Sequence, residues 1–109
     1  LVTIEEWRPV VGYEGYYDVS NQGNIRSVKR VVKCGKQTMT VRESIMHPQV
    51  DNSGYLCFSA RKDGSFKKVY VHRCVAEAFL NQEDQKDEIN HKDGNKTNNC
   101  VDNLEWATY

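Results

Sequence analysis

His91 stands at the head of a loop almost free of apolar residues, Lys92-Asp93-Gly94-Asn95-Lys96-Thr97-Asn98-Asn99, which closes through Asp102 and Asn103. An imidazole with a pKa near 6.5 can take a proton from water at neutral pH. Asn90, immediately before it, offers an amide oxygen, a hard ligand suited to magnesium, manganese or calcium. Neighbouring residues of a strand point to opposite sides, so both groups can meet one phosphate only if the chain bends at this step. Asp102, Asn103 and the loop asparagines can bond backbone groups and fix the turn. A loop that buries no core yet holds so many hydrogen-bonding side chains is built to keep a shape. On residue types alone a loop histidine is still more often ordinary surface than catalyst, and both readings stand at this point.

The elements that must position this loop are legible on either side. Glu88 to Asn90 reads as a strand, His91 to Asp102 as the loop, and Leu104 to Thr108 as the returning strand. Upstream, Val71, Cys74, Val75, Ala78 and Phe79 form one apolar helical stripe, with Arg73 and Glu77 facing outward. Before that helix, Tyr55 to Ala60 and Lys67 to Val71 flank Lys62-Asp63-Gly64-Ser65, the clearest hairpin in the chain. Asp51-Asn52-Ser53-Gly54 is a turn. From Trp7 to Val28 the chain reads as short strands broken by glycine turns. Among them are Tyr16 to Ser20, the tight turn Asn21-Gln22-Gly23-Asn24, and the return Ile25 to Val28. Residues 29–47 are basic and weakly patterned, with a ribbon running from Val31 to Val41. Asn81 to Glu88 is an acidic connector without apolar residues. The fold class is α+β, antiparallel ribbons with one or two helices on them.

The chain has 109 residues, 39% of them hydrophobic, a mean hydropathy of −0.73 and a net charge of zero. This fits one soluble domain with a modest core. It has no apolar run of the roughly 18 residues a membrane span needs and no visible signal peptide. It starts at Leu1 without a methionine and stops at Tyr109, so trimming at both ends is expected. Cys34, Cys57, Cys74 and Cys100 are scattered without a C-x-x-C pair, which reads as reduced, partly buried thiols rather than a disulfide scaffold or a structural zinc site. The zero net charge hides an uneven distribution. Arg26 to Arg73 contains eleven Lys and Arg against three acids, while both flanks are acidic. A basic middle can present a positive face to phosphates, although a solvated surface of mixed sign explains the charges as well.

The run Ile89-Asn90-His91-Lys92-Asp93-Gly94-Asn95-Lys96-Thr97-Asn98-Asn99, with Asp102-Asn103-Leu104-Glu105-Trp106-Ala107-Thr108, resembles the core motif of the HNH endonucleases. It is closest to the subgroup found among bacteriophage and intron-encoded homing endonucleases. Val71-His72-Arg73-Cys74-Val75-Ala76-Glu77-Ala78-Phe79 is similar to the helix that precedes the motif there. Glu6 to Asn21 resembles the small module often fused ahead of such nucleases. The resemblance implies a ββα-metal core preceded by small antiparallel β ribbons. It divides the chain into a β-rich DNA-binding module over 1–50 and a nuclease core over 51–109. It also implies metal-assisted phosphodiester hydrolysis of double-stranded DNA with one divalent ion, Mg2+ or Mn2+, and no small-molecule cofactor. By position, His91 matches the general base, Asn90 a metal ligand, and Asn103 the residue that fixes the loop. A second metal ligand is expected on a helix beginning near Tyr109. One base and one metal imply a strand-nicking monomer or weak dimer, working in the cytoplasm of a bacterial or phage-infected cell.

On this reading Arg26, Lys29 and Arg30, after the N-terminal ribbon, and Arg61, Lys67, Lys68 and Arg73, beside the hairpin, are the candidate DNA contacts. His72 is expected to be structural, and Trp7, Tyr13, Tyr16, Tyr17 and Trp106 to be aromatic core. His47 is assigned no role. The rival reading is a DNA-binding module whose nuclease site does not cleave, motivated by the neutral Asn90 and the acidic Glu83–Glu88 stretch. A zinc-stapled interaction domain is the third, disfavoured by the unpaired cysteines.

Overall fold

A computed structural model describes residues 4–82 and 86–108, with the Cys34 side chain set aside. The acidic connector therefore falls partly, and the helix expected near Tyr109 wholly, outside the described residues. In chain order the elements are β1 (Trp7–Pro9), β2 (Tyr17–Ser20), β3 (Ile25–Ser27), β4 (Arg30–Cys34), β5 (Gln37–Val41), β6 (Ser44–Ile45) and β7 (Gln49–Val50). There follow β8 (Leu56–Lys62), β9 (Ser65–Tyr70), α1 (Val71–Phe79), β10 (Glu88–His91), a single 3-10 turn (Val101–Asn103) and β11 (Leu104–Ala107). Every strand pairing is antiparallel. The order is β1-β2-β3-β6 in one sheet and β7-β8-β9 in another, while β4-β5 and β10-β11 form separate two-stranded ribbons. This is the α+β architecture read from the sequence, with one described helix.

Local chemistry accounts for the main turns. Lys62 pairs with Ser65, so β8 and β9 are joined by Asp63 and Gly64 alone. Both have positive φ, 52° and 78°, as a two-residue hairpin matching the strand twist requires. The β2–β3 turn is held by Ser20, whose Oγ accepts from the backbone N–H of Gln22 and Asn24 at 3.2 and 3.1 Å. Helix α1 follows β9 without a side-chain cap. Nine residues are too few for a stable isolated helix, so its apolar stripe must do the work by packing.

The core draws on both halves of the chain. Val10, Tyr17, Val19 and Ile25 pack in one cluster with Phe58, Ala60, Val71, Cys74, Val75 and Leu104. Tyr17, Val19 and Ile25 are the inward positions of β2 and β3, Phe58 and Ala60 those of β8, as strand alternation demands. Fully burying a Val or Ile side chain is worth about 1.5–3 kcal/mol, so residues 1–50 and 51–109 stabilise each other through this cluster. Tyr17 meets Phe58 edge-on at 5.3 Å, and its hydroxyl accepts the Arg61 backbone N–H at 3.0 Å. Trp106 is buried, and Trp7, Tyr13 and Tyr16 are half-buried at the rim. Cys57, Cys74 and Cys100 are free thiols; burial pushes the Cys74 thiol up to about 12. The β4–β5 ribbon carries exposed Val31 and Met39. No described helix is long and apolar enough to cross a membrane.

Candidate functional site

The loop between β10 and β11 is a closed hydrogen-bond network. Asn103 Nδ2 donates to Asp93 Oδ1 and to the Asn98 carbonyl, both at 2.9 Å, while its Oδ1 accepts the Asp93 N–H at 3.1 Å. Asp93 also accepts from Asn98 Nδ2 at 2.9 Å and from the Asn95 N–H at 2.8 Å. These donors, Asn98 first, hold the Asp93 carboxyl below its ordinary value. Asn95 Oδ1 in turn accepts the Thr97 N–H and hydroxyl at 3.1 and 2.8 Å.

His91 sits at the base of this loop, 7% exposed. Its Nε2 lies 2.8 Å from Oδ1 of Asn99, which is itself only 3% exposed. With the amide oxygen as acceptor, Nε2 is the protonated nitrogen and Nδ1 keeps its lone pair. Among the described residues no hydrogen-bond partner meets Nδ1. The His91 ring is 5.4 Å from that of His72 and 5.9 Å from that of Tyr55. His72, on the first turn of α1, packs against Tyr55 at 4.8 Å and Tyr70 at 5.5 Å. Burial, with the neighbouring His91 and Arg73 charges, lowers the His72 pKa to about 4, so it is neutral at pH 7. Asp51 braces the cluster by accepting the Tyr70 hydroxyl at 2.6 Å and Lys68 Nζ at 2.9 Å. The Tyr70 hydroxyl and Lys68 hold its carboxyl well below the usual range, and Asp51 raises Lys68 in return. Lys96 lies over the Tyr55 ring at 4.9 Å and donates to the Ser53 carbonyl at 2.9 Å.

The chain does not bend between Asn90 and His91. Strand β10 runs through both, pairing Asn90 with Glu105 and His91 with Leu104, so the imidazole points inward and the amide outward. A phosphate meeting both must lie across the edge of the hairpin rather than over one face. Asn90 Nδ2 donates to Glu105 Oε1 at 2.8 Å, and among the described residues no donor reaches Asn90 Oδ1 beside it. Among the described residues no three His, Cys, Asp or Glu side chains converge into a metal cage. An amide oxygen next to one carboxylate instead suits an ion that keeps most of its waters and borrows oxygens from a phosphate, as magnesium does.

The candidate DNA contacts divide sharply. Arg26 is committed to Asp18 at 3.0 Å and Glu43 at 3.5 Å and stacks over Trp7 at 4.3 Å. Arg30 donates to the carbonyls of Tyr16 and Val28 at 3.0 and 3.1 Å and lies over the Tyr16 and Tyr17 rings. Lys68 belongs to Asp51, and Arg73 donates to the Asp87 carbonyl at 3.1 Å while lying over Trp106. Lys29, Arg61 and Lys67 are exposed, and none has a carboxylate partner among the described residues. Exposed Lys33, Lys36 and Arg42, on and after the β4–β5 ribbon, join them. Sequence reasoning passed over Asn99 as one loop asparagine among several, and over Glu105 altogether. Only the register of β10 on β11 puts Glu105 opposite Asn90, and nothing local marks Asn99.

Residues 5–61 match the NUMOD4 motif and residues 69–109 match an HNH endonuclease model. The chain is 39% identical over 103 residues to DNA endonuclease I-HmuI of Bacillus phage SP01, covering 94% of this chain and 52% of that protein. It is 36% identical over 106 residues to the uncharacterized HNH endonuclease L245 of Acanthamoeba polyphaga mimivirus, covering 97% of this chain and 28% of that one. A solved structure described as DNA binding and cleavage by the HNH homing endonuclease I-HmuI superposes with a TM-score of 0.73 at 38% identity, over 94% of this chain and 52% of that one. The chain thus spans about half the length, or less, of the curated relatives it matches.

Proposed function

Because the chain belongs to the HNH endonucleases that carry a NUMOD4 motif, we propose that it performs divalent-metal-dependent hydrolysis of DNA phosphodiesters, nicking one strand, with His91 as general base. The observation that carries this reading is the His91 ring at the base of the loop, whose Nε2 faces Asn99 Oδ1 at 2.8 Å, an arrangement that leaves the lone pair on Nδ1. That nitrogen takes the proton of the attacking water. Asn90 Oδ1, beside Glu105, would hold the ion, whose chemistry when bound is to withdraw charge from the phosphate and the leaving 3′ oxygen. The Asp93–Asn98–Asn103 network keeps the loop from drifting as the phosphate settles across the hairpin edge. Neutral, enclosed His72 adds no competing charge beside the base.

Double-stranded DNA is the substrate this surface fits. The β4–β5 ribbon projects Lys33 and Lys36 with Lys29 and Arg42 at its root, and a major groove about 12 Å wide admits a two-stranded ribbon. Exposed Lys67 and Arg61 add positive charge on the two faces of the neighbouring hairpin. One base and one ion site make one active centre, so each protomer of a monomer or weak dimer would nick one strand; the setting we propose is the cytoplasm of a bacterial or phage-infected cell.

The test is nicking of supercoiled plasmid by the native-length protein in Mg2+ or Mn2+. The His91→Ala variant should lose about 10²–10⁴-fold in rate, and chelation should abolish cutting. The second reading, a DNA-binding module that does not cleave, has the neutral Asn90 in its favour. DNA binding without cleavage in either metal would establish it.

A further inference from the structure

The β2–β3 turn lies against the backbone of the loop that holds His91. Val101 donates its N–H to the Asn21 carbonyl at 2.8 Å, and Cys100 Sγ lies 3.7 Å from the Gln22 carbonyl. Between them Gly23, at φ +85°, is so close to Asn99 that a Cβ on it would stand 2.9 Å from Asn99 Cβ and 3.0 Å from its carbonyl oxygen. Asn21 and Gly23 belong to the NUMOD4 match, Asn99 and Val101 to the HNH match. The Asn99 side chain then runs directly to His91 Nε2.

We propose that the NUMOD4 turn Asn21–Gly23 is a positioning element for the nuclease: it seats Asn99, and Asn99 Oδ1 fixes His91 in the tautomer protonated at Nε2, with Nδ1 free to act as base. The proposal rests on the general-base reading of His91. Asn99 is the residue whose side chain decides which ring nitrogen is available. An oxygen facing Nε2 requires a proton there, whereas the amide turned over would donate to Nε2 and put the proton on Nδ1. Asn99 is itself 3% exposed, and its Nδ2 meets no hydrogen-bond partner among the described residues, so the contact with His91 is the polar contact this amide makes there. A glycine is required at 23 on two counts, its positive φ and the absence of room for a Cβ. The fused module thereby acts on catalysis from behind the loop, whatever part its ribbon plays on DNA.

The experiment is ring-15N NMR of the native-length protein labelled at histidine, at pH 8, with His91 assigned by its loss in His91→Gln. The expected result is a His91 Nε2–H that exchanges slowly with water and an unprotonated Nδ1. A proton on Nδ1, or an Nε2–H as exposed to exchange as that of a free imidazole, overturns the proposal without touching the nuclease reading. Asn99→Leu and Gly23→Ala should lose the protected Nε2–H and lower kcat by about a hundredfold at unchanged KM, as a misplaced base would. Asn99→Asp, which keeps an acceptor, should restore the signal. Gly12→Ala has comparable backbone strain at φ +88° but nothing within 4 Å, and should leave both readouts as in the parent. Variants that keep the protected Nε2–H and full kcat would show that the turn and Asn99 do not position the base. Loss of cleavage in the parent with the protected Nε2–H intact would sink the nuclease reading alone.

Discussion

Replacing Asn90 by aspartate should make the protein less stable without a divalent ion and more stable with one. In the parent, Asn90 Nδ2 donates to Glu105 Oε1 at 2.8 Å across an exposed pair of strands. Asn90→Asp removes that bond, worth about 0.5–1.5 kcal/mol, and sets two carboxylates opposite each other. At a separation of about 4–5 Å in water their repulsion is about 1 kcal/mol, so the metal-free variant should lose roughly 1.5–2.5 kcal/mol. For a domain of this size that is a fall in Tm of about 6–12 °C. A double variant Asn90→Asp/Glu105→Gln restores a donor–acceptor pair in the opposite sense and should recover most of the loss. An ion between two carboxylates reverses the sign of the first effect, and Mn2+ should raise the Tm of Asn90→Asp by more than it raises the parent's. The assay is thermal unfolding by circular dichroism in EDTA and in millimolar Mn2+ at pH 7.5. Equal Tm values for parent and variant in EDTA would refute the cross-strand pairing. A variant destabilised in EDTA but indifferent to Mn2+ would refute the placement of the ion at this edge.

Acid should weaken the fold through His72. Its folded pKa is lowered to about 4 from an ordinary 6.5, so below pH 6.5 the unfolded chain takes up the proton first. The stability due to neutral His72 is therefore complete above 6.5 and lost as pH falls towards 4. Urea midpoints between pH 7 and 4.5 should fall less steeply for His72→Gln than for the parent, and parallel curves would refute the assignment. The Asp51 carboxyl, held far lower by Tyr70 and Lys68, does not titrate in that window. On DNA, Lys33→Ala should reduce the slope of log affinity against log salt by about one phosphate contact, because its ammonium is exposed. Arg26→Ala should leave that slope alone and lower Tm instead, since its guanidinium is spent on Asp18, Glu43 and Trp7. A salt titration of both variants separates the two roles.

What the sequence determined by itself is what depends on neighbours in the chain. The Val71–Phe79 stripe gave the helix, the Asp63-Gly64 pair gave the hairpin, and the run from Asn90 to Asn103 gave the loop and its family, because periodicity, positive φ and motif spacing are all local. Strand alternation also put Asn90 and His91 on opposite faces, and β10 runs through both without a bend. The tertiary structure decided which polar groups meet. Arg26 and Arg30 read as free charge in a basic stretch, yet packing brought the carboxylates of Asp18 and Glu43 to Arg26 and backbone carbonyls and aromatic rings to Arg30. Asn99 resembled its neighbours until the fold set Gly23, 76 positions earlier in the numbering, against its backbone and His91 against its amide. Hydrogen bonds and close contacts of that range carry no period along the chain. They exist only once the core shared by Tyr17, Val19, Phe58, Val75 and Leu104 has closed and fixed the distance between the two halves.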